Sequence, residues 1–375
     1  MNWKAKPLGS CIEVFDSCRR PVTKKDRVLG PYPYYGASGI VDYVDSYIFE
    51  GLHVLVAEDG ENLRSRKLPI AYLADGRFWV NNHAHVLRAN DENDTRFLSY
   101  MIESLDLSGF ITGSTQPKLS QAVLLSIPLR LPKLAEQRRI AGVLGVLDDK
   151  IESNQNLAEV IPSLIDAQIH HALSDGSGDS IPVSKLAKFV NGGAYTKEAS
   201  GTGRMVIRIA DLNTGPGAST IYNDIDVPGD RLAHFGDLLM SWSGSLGVYV
   251  WVREEAIVNQ HIFKVIFTDF PAWLVHNRLN VALHDFRAIA ADKATTMGHI
   301  QRKHLDETFV EVPNAKLEQL NHLCVPLWNR FISAQLESMR LAELRDALLP
   351  ELMSGRMRVD EAGRLVSEAL DKEVR

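Results

Sequence analysis

Residues 131–137 read LPKLAEQ and lead into the stretch VLGVLDDKIESNQNLAEVIPSLIDAQI, whose apolar residues recur every three or four positions. Residues 312–319 read VPNAKLEQ and lead into a second such stretch, CVPLWNRFISAQLESMRLAELRDALLPELMSG. Each stretch follows a block rich in glycine, aromatic residues and short strand patterns. The repeat is far longer than the roughly 20–50 residues of solenoid repeats. It therefore predicts a duplicated unit, in which a globular domain is followed by a long amphipathic helix.

The apolar residues of both stretches alternate steps of four and three, which is the pattern of a coiled-coil seam. In the first helix the predicted seam consists of Ile140, Leu144, Leu147, Ile151, Asn154, Ala158, Ile161, Ile165, Gln168 and Ala172. In the second helix it consists of Leu320, Cys324, Leu327, Phe331, Ala334, Ser338 and Leu341, after which it shifts to Leu344, Leu348 and Leu352. We predict that the two helices bury these seams by packing on each other.

Three residues modify the helix prediction. An asparagine on a seam commonly fixes register and pairing, so Asn154 either has this role or meets water or a loop. Pro162 removes one backbone donor and is expected to kink the first helix or divide it in two. Gly355 is expected to end the second helix, because glycine readily adopts the left-handed conformation of a helix C-terminus.

The two blocks that precede the helices share an order of predicted elements. In the first block, residues 40–49 and 53–60 predict strands, and residues 95–106 predict a helix capped by Asp94 or Thr95. The second block, residues 180–313, has strand patterns followed by a helix in the same order. The segment SDGSGDS, residues 174–180, has the composition of a linker.

Length and composition limit the class of protein. A chain of 375 residues with 45% hydrophobic and 23% charged residues suits two globular domains. No apolar run approaches the roughly 18 residues of a membrane span, and the N-terminus lacks a signal-peptide pattern. Cys11, Cys18 and Cys324 form no CxxC pair, so we expect a reducing cytoplasm and no structural zinc.

Catalytic motifs are missing from the sequence. It contains no P-loop, no GxGxxG dinucleotide motif and no HExxH. His83 and His85 could form a ligand pair, but alternating strand positions favour a structural role. The net charge of −6 argues mildly against a stand-alone nucleic-acid binder, although a partner subunit could supply phosphate contacts. The sequence therefore predicts a protein without catalytic activity of its own.

Four segments carry a family resemblance. Residues 143–154 resemble the central conserved segment of type I restriction-modification specificity subunits, and residues 344–355 resemble their C-terminal conserved segment. Residues 236–247 are similar to the recognition-domain signature of that family, and residues 258–261 fit its sequel. In the first block, residues 51–60 take the place of the signature. The resemblance covers essentially the whole chain.

The resemblance implies an α+β fold with two β-rich target-recognition domains, separated by two long antiparallel helices that form a coiled-coil spacer. The two domains are expected to be a pseudo-two-fold duplication. The implied boundaries are 1–132 for the first domain, 133–173 for the central helix, 174–180 for the linker, 181–313 for the second domain, 314–355 for the C-terminal helix and 356–375 for a tail.

The same resemblance implies the function. Each domain is expected to read one half of a bipartite, asymmetric site in double-stranded DNA, while the helices set the spacer and dock two modification subunits that methylate adenine. Two restriction subunits, where the system has them, would add cleavage. This chain is expected to carry no cofactor and no metal. S-adenosylmethionine would bind the modification subunit, and ATP with Mg would bind the restriction subunit. The complex is expected in the cytoplasm, away from the membrane.

Side chains that read bases or bind phosphates are expected on loops of the two domains. In the first domain the candidates are Lys24, Lys25, Arg27, Tyr34, Tyr35, Ser38, Arg64, Arg66, Ser114, Thr115, Gln116 and Lys118. In the second domain they are Tyr195, Thr196, Lys197, Arg204, Arg208, Trp242, Ser243, Ser245, Gln260, His261, Gln301, Arg302 and Lys303.

Two other classes fit the sequence less fully. An interaction scaffold could use the helices to pair proteins and the β-rich blocks to bind peptide or carbohydrate. A fragment of a fused restriction-methyltransferase is a third interpretation. Against it, the duplicated unit begins almost at residue 1 and ends soon after Gly355, which leads us to expect a complete chain.

Overall fold

The computed structural model describes residues 3–197, 199–292 and 298–373, apart from the side chains of residues 4, 292, 372 and 373. It divides the chain into two compact units. Unit 1 consists of Met1–Ile151 with Arg340–Arg375, and unit 2 consists of Glu152–Met339. The ends of the predicted first domain and tail, residues 1–2 and 374–375, lie outside the described residues. Among the described residues, no helix has both the length and the apolar character needed to cross a membrane.

The order of the strands is the same in both units, whereas the positions of the short helices between them are not all the same. The strands of unit 1 are β1 (Lys4–Pro7), β2 (Ile12–Val14), β3 (Tyr32–Gly36), β4 (Gly39–Val44), β5 (Phe49–Glu50), β6 (His53–Ala57), β7 (Ala71–Ala74), β8 (Arg77–Val80), β9 (Ala84–Ala89) and β10 (Pro128–Leu131). The strands of unit 2 are β11 (Asp179–Pro182), β12 (Ala187–Asn191), β13 (Arg204–Ile207), β14 (Ile221–Asn223), β15 (Leu232–Ala233), β16 (Leu238–Ser241), β17 (Gly247–Val250), β18 (Ala256–Val258), β19 (Ile262–Phe267) and β20 (Phe309–Val312). The α-helices are α1 (Asn62–Ser65), α2 (Thr95–Glu103), α3 (Gln121–Ser126), α4 (Leu134–Leu173), α5 (Ile209–Thr214), α6 (Ala272–Asp292), α7 (Arg302–Glu307), α8 (Leu317–Ser354) and α9 (Val359–Glu373).

Sheet topology establishes the duplication. Unit 1 contains four-stranded sheets of order β2-β9-β6-β7 and β4-β3-β8-β5, with β1 pairing β10. Unit 2 contains four-stranded sheets of order β12-β19-β16-β17 and β14-β13-β18-β15, with β11 pairing β20. Adding ten to each strand number of unit 1 therefore reproduces unit 2. Even the parallel pair recurs, as β3 with β8 and as β13 with β18.

Within unit 1, the first part of α4 belongs to the domain core. Ile140, Leu144 and Leu147 are buried in one cluster with Leu341 and Leu348 of α8. The same cluster includes residues of α2 and of the β2-β9-β6-β7 sheet, and α9 adds its apolar face. Across the helices, Arg345 Nη1 donates to Asp148 Oδ1 at 2.9 Å. The helices of this unit are thus fused to the β-rich domain through shared apolar burial.

Within unit 2, the second part of α4 packs on the first part of α8. Ile161 and Ile165 are buried with Leu320, Trp328 and Phe331. The seam departs from the predicted one at three points, where a neighbour is the buried residue; one is Glu337, which is buried while Ser338 is only partly so. Trp328 is buried and Leu327 only partly so, and Ile169 is buried in place of Gln168. The heptad pattern drifts here because a straight helix has 3.6 residues per turn and the domain supplies part of the packing surface.

Contacts in unit 2 also fix the direction of the two helices. Asn154 Oδ1 accepts from Arg330 Nη2 at 3.1 Å, and Lys316 Nζ donates to the carbonyl of Ala172 at 2.6 Å. The helices therefore run antiparallel. Asn154 is fully buried against α8, so the alternative in which it meets water or a loop is wrong. Its Nδ2 has no hydrogen-bond partner among the described residues.

Other local predictions are confirmed or corrected by the structure. Asp94 caps α2, because its carboxylate accepts from the amide of Phe97 at 2.9 Å. The helix α4 continues through Pro162, so this proline does not divide it. Residues 40–49 form two strands, β4 and β5, rather than one, because the chain turns at residues 45–48 to pair with different neighbours.

A Glu-Gln pair occurs at the start of each long helix, but the two glutamines have different environments. Gln137 is buried and links α4 to the start of α2, since its Nε2 donates to Asn93 Oδ1 at 3.0 Å and its Oε1 accepts from the amide of Asp94 at 2.9 Å. Gln319 is exposed. In unit 2 the corresponding tether is Asn321, whose Oδ1 accepts from the indole of Trp273 at 2.8 Å.

Carboxylates placed in the helix seams should unfold the packing of each unit separately. Leu147→Asp in unit 1 and Phe331→Asp in unit 2 each put a charge into an apolar cluster, so we expect losses of about 3 kcal/mol or more. Val146→Asp is the matched control, because this neighbouring side chain is 46% exposed. Urea denaturation gives the energies, and hydrogen exchange locates the loosened amides. Equal stability of Leu147→Asp and Val146→Asp would contradict the packing described here.

Candidate nucleic-acid interface

Three segments of unit 1 meet at one end of the β2-β9-β6-β7 sheet. The amide of Glu58 donates to the carbonyl of His83 at 2.9 Å, and the amide of Leu119 donates to the carbonyl of Glu58 at 2.8 Å. The amide of Gly60 donates to the carbonyl of Pro117 at 3.1 Å. These bonds join the turn after β6, the loop before β9 and the segment before α3. We call this place junction 1, residues 58–60, 81–83 and 112–119.

Unit 2 builds the same junction from different residues. The amide of Trp242 donates to the carbonyl of His261 at 3.2 Å, and the amide of Ile300 donates to the carbonyl of Trp242 at 3.0 Å. The amide of Gly244 donates to the carbonyl of Gly298 at 2.9 Å. We call this place junction 2, residues 242–244, 259–261 and 298–300. Each unit therefore presents one corresponding set of loops.

Junction 1 contains several of the candidate DNA contacts. The guanidinium of Arg64 donates to the carbonyls of Gly113 and Ser114, the latter at 3.0 Å. Lys118 Nζ lies 3.2 Å from Glu58 Oε1. The candidate side chains of this segment, Ser114, Thr115, Gln116 and Lys118, are all exposed. Arg64 thus holds the backbone of the segment, while the exposed side chains are accessible to a ligand.

A second group of candidates in unit 1 lies between β2 and β3. Lys24 and Lys25 are exposed. Arg27 Nη1 donates to Asp42 Oδ2 at 2.9 Å, and its guanidinium stacks 4.5 Å from the ring centroid of Tyr34. Tyr34 itself is only 1% exposed, and its hydroxyl accepts from the amide of Val22 at 2.9 Å. Tyr34 therefore supports Arg27 and cannot stack on a base without rearrangement, which corrects its assignment as a contact residue.

The remaining candidates of unit 1 differ in accessibility. Ser38 is exposed in the turn between β3 and β4, and Tyr35 is half-buried. Arg66 donates to the carbonyls of Glu103 and Leu105, both at 2.6 Å. These carbonyls belong to the C-terminal end of α2, where a cation is favoured by the helix dipole. Arg66 therefore has a structural role at α2 and lies apart from the segments of junction 1.

In unit 2, Trp242 and His261 lie together at junction 2, with ring centroids 5.5 Å apart. Gln260 Nε2 is 3.2 Å from His261 Nε2, and both of these side chains are exposed. Ser245 is also exposed, whereas Ser243 is buried. An exposed amide and imidazole at one loop tip offer hydrogen-bond donors and acceptors to a base edge. The burial of Ser243 removes it as a direct contact.

Three candidates follow junction 2 at the start of α7. Gln301, Arg302 and Lys303 are exposed. Arg302 Nη2 donates to the carbonyl of Phe189 at 2.9 Å, which fixes the helix to β12. Lys303 Nζ is 3.7 Å from Glu307 on the same helix, an exposed pair that leaves the ammonium hydrated. This helix start places two cations beside the junction.

The other candidates of unit 2 lie near β12 and β13. Tyr195 and Thr196 are half-buried and Lys197 is exposed. Arg204 Nη1 donates to Glu255 Oε1 at 3.1 Å. Arg208 donates from Nε to Asp211 Oδ2 at 2.9 Å and precedes α5. These two arginines are bound to carboxylates of their own domain, which makes them positioning residues in this structure.

Sequence reasoning missed a buried charged cluster beside junction 1. Asp16, Glu58 and His85 offer ligand atoms within 4.8 Å of one another, as a metal site would. However, Arg19 Nη1 already donates to Glu58 Oε2 at 2.7 Å, and Lys118 binds the other oxygen. Burial alone would raise the pKa of Glu58, but the bonds from Arg19 and Lys118 and the nearby His85 hold this pKa below its ordinary value. Cations of the protein itself thus neutralise the carboxylates, and the cluster is an ion network.

The two histidines of the pair identified in the sequence have different partners and different exposure. The exposed His83 lies 2.9 Å from Asp59 through Nδ1. The buried His85 lies 2.6 Å from Asp16 through Nδ1 and 2.8 Å from the carbonyl of Leu119 through Nε2. His83 lies in the loop before β9 and His85 lies within that strand, so the two rings have different partners. The structural role that the sequence favoured for this pair agrees with the geometry.

At one pair of equivalent positions, unit 2 has an ion pair where unit 1 has packing among aromatic rings. Strand register matches Val54 with Leu238, since they pair Leu87 and Val265 respectively, so His53 corresponds to Asp237. Asp237 Oδ2 lies 2.8 Å from Lys264 Nζ. His53 instead packs among aromatic rings, and burial lowers its pKa. Residues 51–60 lack the family signature, and at the position of its aspartate His53 packs among aromatic rings.

The fold and the site together define a class: a duplicated chain whose two β-rich domains share a pair of long antiparallel helices and present one loop junction per unit. Residues 1–163 match the family described as the type I restriction modification DNA specificity domain.

Individual relatives extend this result along the chain. A candidate type I restriction enzyme specificity subunit of Haemophilus influenzae is 38% identical over 148 residues, which are 39% of this chain and 37% of that protein. The type I restriction enzyme MjaIX specificity subunit of Methanocaldococcus jannaschii is 21% identical over 414 residues, covering 96% of this chain and 94% of that protein. The crystal structure of the type I restriction-modification S subunit from M. genitalium has the same fold, with a TM-score of 0.59, 16% identity, and coverage of 94% of this chain and 96% of that chain. The resemblance to type I specificity subunits is confirmed.

Breaking the partly buried ion pair of unit 2 should cost more than removing it. Lys264→Met leaves the Asp237 carboxylate without its cation, so we expect a loss of about 3 kcal/mol, at the low end for such pairs because Asp237 retains some solvent contact. The double variant Asp237→Leu/Lys264→Met should recover part of this loss. Urea denaturation measures both, with Lys303→Met as the exposed control. Equal losses in the single and double variants would contradict the expected cost of leaving the Asp237 carboxylate unpaired.

Proposed function

We propose that this chain is the DNA-specificity subunit of a type I restriction-modification complex. In this proposal it has no catalytic activity, and each unit reads one half of a bipartite, asymmetric site in double-stranded DNA. The observation that carries the proposal is the exact repetition of strand order with different side chains at the two junctions. Two equivalent scaffolds with unlike loop tips suit the reading of two unlike half-sites.

The chemistry of the junctions supports DNA as the ligand. Junction 1 contains the exposed ammonium of Lys118, and junction 2 adjoins the guanidinium of Arg302 and the ammonium of Lys303. Cations bind phosphates without reading sequence, whereas amides such as Gln116 and Gln260 can pair with an adenine edge. The two kinds of side chain occur together at each junction. This combination is what positioning and specificity require.

The long helices support a role as spacer and docking surface. At about 1.5 Å per residue, the 40 residues of α4 extend about 60 Å. Several large apolar side chains of α4 and α8 are left exposed, namely Val146, Val160, Leu164, Leu323 and Val325. Apolar side chains that recur on helix surfaces are candidates for burial by a partner. We propose that two modification subunits dock there and bring S-adenosylmethionine for adenine methylation in the cytoplasm, and that restriction subunits add ATP- and Mg-dependent cleavage where the system has them.

A methylation map tests this function directly. The chain is expressed with the modification subunit encoded beside it, and genomic adenine methylation is compared with that of a host lacking the chain. We expect methylation at one split motif that disappears without the chain. Unchanged methylation despite confirmed co-expression would overturn the proposal and favour the alternative of a scaffold that binds peptide or carbohydrate.

Exchange of one domain should change one half of the motif. Replacing residues 1–132 with the first domain of another specificity subunit leaves β11–β20 and both long helices in place. We therefore expect a new first half-site, an unchanged second half-site and an unchanged spacer, measured by the same methylation map. The unmodified chain is the control. Alteration of both halves would show that the units do not read DNA independently.

A further inference from the structure

The ion network beside junction 1 is nearly closed to solvent. Its members are Asp16, Arg19, Glu58, His85 and Lys118. The side chains of Arg19 and Glu58 are each 14% exposed, that of Asp16 is 8% exposed and that of His85 is 1% exposed. Only Lys118, at 53%, is open to water. Charges that are this poorly screened interact strongly, so the geometry of the network is well fixed.

The network binds backbone as well as side chains. Arg19 Nη1 donates to the carbonyl of Ala84 at 2.8 Å, and the amide of Val86 donates to Asp16 Oδ1 at 2.8 Å. His85 Nε2 lies 2.8 Å from the carbonyl of Leu119. The strand β9 is therefore the common anchor. On one side it holds the segment that leads to Lys24 and Lys25, and on the other it holds the segment that contains residues 114–118.

The corresponding junction of unit 2 is built without these charges. In unit 2 the position of His85 is taken by Phe263, because Val56 pairs His85 and Met240 pairs Phe263. Phe263 lies 6.0 Å from the ring of Trp242 and 5.8 Å from that of Phe189. The same backbone junction is thus built around aromatic packing.

The cost of burying charge indicates what the network contributes. Taking ions out of water often offsets their mutual attraction, and apolar replacements of similar size are frequently as stable or more so. Hydrogen bonds between ions have fixed directions that apolar contacts lack. The charged version in unit 1 is therefore better suited to orienting attached segments than to stabilising the domain.

We propose that this ion network is a positioning device for the first half-site, holding residues 16–27 and 112–119 in the arrangement that contacts DNA. The inference rests on the proposed function. Lys118 is the member that faces solvent, and it links the network to a bound phosphate. Asp16, Arg19, Glu58 and His85 act through the segments that they hold and do not touch DNA.

The test measures half-site discrimination by the assembled complex of this chain with its modification subunits. Duplexes carry the motif found by methylation mapping, or the same motif with one base pair changed in the first or the second half. Since a mismatch usually costs at least about tenfold in affinity, the wild-type complex should discriminate at both halves. In Glu58→Gln and Arg19→Gln, first-half discrimination should fall by about tenfold while second-half discrimination is unchanged.

Two further variants separate positioning from folding. Glu58→Trp/His85→Phe copies the aromatic residues of junction 2, so it should fold and assemble but still lose first-half discrimination. Lys6→Gln removes the exposed ion pair with Glu92 in the same unit and should leave both ratios unchanged.

Three other outcomes would contradict the inference or the proposed function. Wild-type ratios in all network variants would overturn the inference and leave the proposed function intact. Loss of discrimination at both halves in the variants would show that the network is only a folding element. Absence of discrimination at both halves in the wild-type complex would overturn the proposed function together with the inference.

Discussion

The structure depends on the burial of the apolar stripes of α4 and α8. Neither stripe is buried by the other helix alone. In unit 1, Leu144 and Leu147 share a core with α2, a β-sheet and the C-terminal part of α8, and in unit 2 the roles of the helix ends are reversed. Because each helix segment is part of a domain core, a domain cannot change its attachment without exposing apolar surface.

The duplicated scaffold separates architecture from chemistry. Three backbone hydrogen bonds of junction 1 have counterparts in junction 2, yet one junction is packed with ions and the other with aromatic rings. At the equivalent positions His53 and Asp237 the arrangement is the opposite. In unit 1 the histidine packs among aromatic rings, and in unit 2 the aspartate forms an ion pair. The same backbone arrangement is therefore compatible with either ion pairs or aromatic packing. This tolerance lets the two halves of one chain acquire different surfaces without changing their fold.

The sequence predicted the helices well, since long periodic patterns depend on local geometry and on burial of one face. It also predicted the cap at Asp94 and the stop at Gly355, whose φ of 70° is left-handed. It was less successful with the candidate contacts. An arginine in a loop looks the same in sequence whether it binds a phosphate or, like Arg66, the end of a helix. Tyr34 and Ser243 were chosen for their residue type, and only their burial shows that they face inward.

By itself, the sequence determined the duplication, the two long helices and the family resemblance, because each is written in residues that lie close together along the chain. Tertiary structure alone decided which distant segments meet. Asp16, Glu58, His85 and Lys118 span a hundred residues of sequence without any shared motif, and antiparallel strand pairing brings them within hydrogen-bonding distance. The exchange of His53 for Asp237 likewise becomes visible only through strand register. Local patterns determine the elements, whereas long-range pairing determines the chemistry of the sites, since contacts between distant residues leave no periodic signal in the chain.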